Sequence, residues 1–211
     1  AKAWSTFAGK SEVLLTLART DPDMKAGHKG LSLFIVEKPE FDGEEFVVEQ
    51  AGGGKLSGSS IPTLGYRGMH SFNLFFDDFF VPQQNLIGEG QGLGKGFYFT
   101  MRGFMGGRIQ TAARACGLMN ASLDSALAYA KDRKVFGQPV ASYQLTLIKF
   151  AKMAMYIAAS RQFTYKVGRL MDEGGGQMEA SLVKLLACKL AEWVSREAMQ
   201  IHGGMGYAEE T

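Results

Sequence analysis

One short run divides this chain into two kinds of sequence. Gly88–Gly96 reads GEGQGLGKG, a glycine at every second position. Before it, short β-rich apolar runs are bounded by turn residues; after it, apolar residues recur at helical spacing. Strands followed by helices predict an α+β chain, not a parallel sheet wound with helices. The glycine run also lacks GxGxxG spacing, so it is no dinucleotide fingerprint. It reads as a flexible hinge, giving two domains, residues 1–92 and 93–211.

In the first part, EVLLTLART, LSLFIVEK, FVVEQ and FNLFFDDFFVP read as strands, with a turn at Asp77-Asp78 and an end at Pro82. Ala51–Ser60, AGGGKLSGSS, reads as a long mobile loop. The expected architecture is an antiparallel β-sandwich or flattened barrel. Trp4 and Thr6 open it with two readings: an indole packing on a flat cofactor beside a hydroxyl that bonds its edge, or a strand with one core-facing aromatic. Ser5 would point to the opposite face. Gly9-Lys10-Ser11 is not a phosphate loop, because Trp4 stands where that motif needs its first glycine.

The second part predicts three helices, Phe97–Lys134, Ser142–Glu173 and Glu179–His202, in an antiparallel bundle. The inward residues expected are Ala115, Leu118, Met119, Leu123, Leu127 and Ala130, then Leu145, Leu147, Phe150, Ala154, Ile157, Ala159, Phe163 and Val167, then Leu182, Leu186, Leu190, Trp193 and Val194. Met153, Met155 and Met171 read as core filler. Gly103, Gly106 and Gly107 each cost a helix roughly 1 kcal/mol against alanine, so close packing or a substrate chain is expected there.

Between the first two helices lies Arg133–Gln144, RKVFGQPVASYQ. Gly137 and Pro139 break the helix, making a corner with Arg133, Phe136 and Gln144 around it. It is either an ordinary helix–helix corner or a clamp for a flat anionic ligand: cation for phosphate, ring for stacking, amide for an edge. After the third helix, Gly203-Gly204-Met205-Gly206 either caps the helix or lets loop amides and Gln200 approach a ligand. A helix C-terminus does not itself attract phosphate.

With 23 basic and 21 acidic residues spread evenly, nothing suggests nucleic acid, and no apolar run spans a membrane. Cys116 and Cys188 read as buried free thiols in a reducing compartment. His28, His70 and His202 are too scattered for a metal site.

Four motifs in order, WSTFAGK, FFDDFFVPQQNLIGEGQGLGKGF, RKVFGQP…YQ and QIHGGMGYAEE, resemble the acyl-CoA dehydrogenases over nearly the whole chain. GYRGMHS and GRIQTAARACG look most like the methylsuccinyl-CoA dehydrogenase branch. The resemblance implies a partial chain, part of the middle β-domain and part of the C-terminal bundle, inactive alone. It implies FAD-dependent oxidation of an acyl-CoA to a 2-enoyl-CoA, an electron-transfer flavoprotein as acceptor, and a homotetramer built as a dimer of dimers. The implied location is cytoplasmic, or the mitochondrial matrix in a eukaryote. By the same resemblance Trp4 lies beside the flavin and Thr6 contacts its N5. Arg133, Phe136, Gln144, Gln200, Gly203 and Gly204 meet the FAD of a neighbouring subunit, and Arg108 faces the acyl-CoA. Gly107 stands where one branch keeps its catalytic Glu, so the base is expected beyond Thr211; Glu209 and Glu210 sit too near the glycine turn to replace it. Gly106 departs from the Asp of the medium-chain enzymes, and His202 from the more usual Phe. A flavin monooxygenase of the same fold, an acyl-CoA oxidase and a non-enzymatic helical module are the other readings.

Overall fold

The computed structural model describes residues 1–65 and 68–209. Tyr66 and Arg67 of the GYRGMHS motif, and Glu210, lie outside the described residues. The chain divides into two compact units, Ala1–Met101 and Arg102–Thr211.

Among the described residues six strands build the first unit: β1 (Lys2–Thr6), β2 (Val13–Arg19), β3 (Leu31–Glu37), β4 (Glu45–Glu49), β5 (Lys55–Ile61) and β6 (Ser71–Asp77). All pairings are antiparallel, in a four-stranded sheet of order β1-β6-β5-β4 and a β2-β3 pair. Leu14 and Val36 from the pair meet Phe46, Leu56, Phe72 and Leu74 from the larger sheet in one core. This is the expected sandwich, held by apolar residues from both layers.

Two glycine-rich runs differ from their expectation for one reason. Ala51–Ser60 is not a loop: its second half is β5, paired on both edges. Gly58 belongs there because the Phe46 ring lies across it, 2.3 Å from where a Cβ would stand. Gly88–Gly96 is no loose hinge either. It folds through a short 3-10 turn, Glu89–Gln91, and packs on the start of β3. The Gly94 N–H donates to the buried Ser32 hydroxyl at 2.9 Å, and a Cβ on Gly96 would lie 2.4 Å from the Ser32 carbonyl carbon. In both runs glycine marks close backbone approach, a need that composition does not separate from flexibility.

The second unit holds most of α1 (Gly96–Asp132), with α2 (Gln144–Asp172) and α3 (Gln177–His202). Cys116 meets Thr164 at 3.9 Å and Asn120 meets Arg161 at 3.1 Å, so α1 and α2 run antiparallel. Ser122 meets Ser195 and Ser125 meets His202, each at 3.4 Å, so α1 and α3 run parallel.

The core is smaller-grained than expected. On α3 the buried face is Ala180, Val183, Ala187, Ala191, Val194, Ala198 and Ile201, while Leu182 and Leu186 are exposed; Leu190 and Trp193 are half-buried. Leu118, Leu145, Leu147, Ala154, Met155 and Ala159 are exposed too, whereas Phe150, Met153, Ile157 and Val167 are buried. Two neighbouring apolar stripes on one helix share a period, and only the partner decides which is covered. Small residues let the helices approach closely and take that place. Among the described residues no helix is long and apolar enough to cross a membrane.

Candidate functional site

The segment after α1 is a β-hairpin, where an open helix–helix corner was expected. Two short strands, β7 (Lys134–Val135) and β8 (Gln138–Pro139), pair antiparallel, Val135 with Gln138. Phe136 (φ 49°) and Gly137 (φ 85°) form the tip. Positive φ at both central residues is what a two-residue hairpin with right-handed twist requires. Phe136 is a poor residue for that position and is 96% exposed. A bulky ring held in a disfavoured conformation, with nothing among the described residues to pack on, points to a use outside the fold. The hairpin is braced: the Val140 N–H donates to the Arg133 carbonyl, and the Tyr143 hydroxyl to the Val135 carbonyl at 2.6 Å.

Helix directions gather the rest. Because α1 and α3 run parallel and α2 returns, the end of α1, the start of α2 and the end of α3 share one end of the helical unit. Arg133 follows α1, Gln144 opens α2, and Gln200 and the Gly203–Tyr207 turn close α3. Two contacts tie these ends. The His202 ring stacks on Tyr129 with centroids 4.7 Å apart, and Lys149 pairs with Glu197. Arg133 makes no ion pair among the described residues, and Gln144 and Gln200 are exposed.

Gly203 adopts φ 62°, ψ −133°, a conformation reserved for glycine, and its N–H donates to the Gln200 carbonyl. Its role is conformational; that N–H is not a donor for a ligand. Gly204 faces open space, whereas a Cβ on Gly206 would lie 2.4 Å from the Met199 carbonyl oxygen.

This donor set fits a dinucleotide. A guanidinium suits a pyrophosphate, an exposed ring a flat heterocycle, and two primary amides its polar edges. A glycine turn admits close approach.

Trp4 and Thr6 lie in the other unit. A bulge in the β1–β6 register, with Trp4 at φ 58°, breaks the simple alternation expected for Ser5. Trp4 is 66% exposed and Thr6 exposed, so the core-facing reading of this indole does not hold. Arg108 is half-buried on α1, 25 residues before Arg133, so roughly 37 Å of helix separates them. Gly103, Gly106 and Gly107 have nothing within 4 Å of a Cβ position, so packing among the described residues does not account for them.

Lys38 escaped the reading of the sequence. It is buried in the sandwich, donates to the Gly9 and Pro39 carbonyls at 2.8 Å, and stands 4.7 Å from the Phe46 ring centroid. Burial lowers its pKa, against the pull of Glu12 and Glu40. It is a structural clasp within the first unit. Among the described residues no cluster of His, Cys, Asp and Glu could hold a metal, and Cys116 and Cys188 are free thiols, the first buried and the second half-buried.

Residues 94–211 match the family model described as the acyl-CoA dehydrogenase C-terminal domain. Over 211 residues the chain is 39% identical to (2S)-methylsuccinyl-CoA dehydrogenase of Cereibacter sphaeroides, covering 99% of this chain and 37% of that protein. It is 34% identical to the mitochondrial short-chain specific acyl-CoA dehydrogenase of Bos taurus, covering 99% and 47%. The solved butyryl-CoA dehydrogenase of Megasphaera elsdenii superposes with a TM-score of 0.85 at 33% identity, covering 98% of this chain and 50% of that one. The chain spans half the length, or less, of these relatives.

Proposed function

The chain belongs to the acyl-CoA dehydrogenase family, and from that premise we propose that it is part of an FAD-dependent enzyme oxidising an acyl-CoA thioester to its 2-enoyl-CoA. The observation that carries this reading is the gathering of Arg133, Phe136, Gln144, Gln200 and the Gly203–Gly204 turn at one end of the helical unit. A short branched acyl group such as methylsuccinyl is the substrate we favour, on the 39% identity to the methylsuccinyl-CoA enzyme.

Each residue has a task in that reaction. Arg133 neutralises pyrophosphate charge, Phe136 stacks on the adenine side, and Gln144 and Gln200 bond polar edges. Trp4 flanks the isoalloxazine and Thr6 bonds its edge. Arg108 orients the acyl-CoA. FAD, when bound, would supply the acceptor for the substrate's β-hydride, with an electron-transfer flavoprotein as the partner that takes the electrons. The α-proton, acidified by the thioester, goes to a carboxylate that position 107, being Gly, does not supply; we assign it to a Glu outside residues 1–211. Because Arg108 and Arg133 stand roughly 37 Å apart along α1, one chain serves two separate sites, which supports an oligomer with each flavin held between subunits.

The test is anaerobic titration of the full-length protein with acyl-CoA thioesters, methylsuccinyl-CoA among them. Loss of oxidised-flavin absorbance with a CoA ester supports the reading. A flavoprotein that no CoA ester reduces would instead fit a monooxygenase of the same fold, and a protein purified without flavin would fit an interaction module.

A further inference from the structure

His202 ends α3 immediately before the glycine turn, and it is the only imidazole of the helical unit. It is buried, 8% exposed, and bonded on both edges. Its Nδ1 lies 2.8 Å from the Ala198 carbonyl, which can only accept, so Nδ1 carries the proton of that bond. Its Nε2 lies 3.4 Å from the Ser125 hydroxyl of α1. With both edges held, the ring stacks on Tyr129 at an interplanar angle of 29°. Tyr129 accepts the Arg133 N–H at its carbonyl, 2.8 Å away, one turn before the hairpin. A single stacked pair therefore links the residue that precedes Gly203 to the turn that launches Arg133.

We propose that His202 is a positioning residue: by stacking on Tyr129 it sets the glycine turn against Arg133, so that both meet the same dinucleotide. This rests on the reading of the helical end as a flavin site. Aromatic character is the essential property, because the stack spans the two helix ends while the two edge bonds orient the ring. A leucine of similar bulk would fill the space and lose the geometry.

The experiment uses the full-length holoenzyme, with FAD dissociation constants from fluorescence titration of the apo-protein and its melting temperature measured alongside. His202→Leu is expected to weaken FAD binding about tenfold, the upper range of an aromatic pair. His202→Phe, which keeps the stack, should stay within about threefold of the parent. In an Arg133→Ala background, His202→Leu should cost roughly twofold or less, since the residue it places is gone. His202→Gln, which keeps edge donors but no ring, replaces His202→Leu if the latter does not fold and should behave like it. The inference is overturned if His202→Leu or His202→Gln binds FAD as the parent does, or if Phe and Leu weaken it equally. Should Arg133→Ala leave FAD affinity unchanged, the flavin reading itself fails, an outcome distinct from failure of the stack.

Discussion

Replacing Phe136 with Asn should make the protein more stable and its flavin looser. The native ring sits at φ 49° beside Gly137 at φ 85°. The left-handed region costs an ordinary residue about 1–2 kcal/mol, and Asn tolerates it better. Burial lost is close to nil, because Phe136 is almost wholly exposed. The apo-protein should gain about 0.5–1 kcal/mol, a rise of roughly 1–4 °C in melting temperature, measurable by calorimetry. A ring stacked on the nucleotide contributes about 0.5–1.5 kcal/mol, so FAD should bind roughly two- to tenfold more weakly in fluorescence titration. The opposed signs make the test sharp. A ring used only for folding would lose stability on replacement, and a ring without use would leave affinity alone. Either result refutes the reasoning.

Two further outcomes are expected in the first unit. Gly58→Ala drives a methyl into the Phe46 ring and should destabilise the protein by about 1–3 kcal/mol in urea unfolding; an unchanged midpoint would mean that β5 does not pack as described. Lys38 is held below its ordinary pKa of 10.5 by burial. Between its folded pKa and 10.5 the unfolded chain therefore binds more protons, and stability from this group rises with pH across that window. Lys38→Met should abolish the rise, and a wild-type stability that falls relative to the variant there would contradict the sign.

Periodicity carried most of the fold because it reports burial of long elements. The three helices lie within two residues of their expected bounds, and Val13–Arg19 and Leu31–Glu37 were legible as apolar runs. It failed where glycine serves contact, at Gly58 and Gly96, and where two stripes compete, as with Leu182 against Val183. The helical end was legible as a set of residue types, but its assembly was not. Helix direction and the Tyr129–His202 stack depend on contacts dozens of residues apart, which no local pattern encodes, and the Phe136-Gly137 tip puts a ring where a two-residue hairpin ordinarily takes Asn, Asp or Gly. The Tyr143 brace was missed, although Tyr143 directly precedes Gln144 in the same motif.

The central claim is that each flavin is held jointly, by Trp4 and Thr6 of one subunit and by the Arg133 end of another. Mixed oligomers test it most directly. Full-length subunits carrying Trp4→Ala with Thr6→Ala, and subunits carrying Arg133→Ala, are each prepared as apo-protein, then unfolded together and reassembled with FAD. Joint sites predict that hybrids regain tight FAD binding, because each mixed pair rebuilds one intact site from two damaged chains. FAD binding no better than the average of the two parents, in oligomers shown to be mixed, would contradict the account.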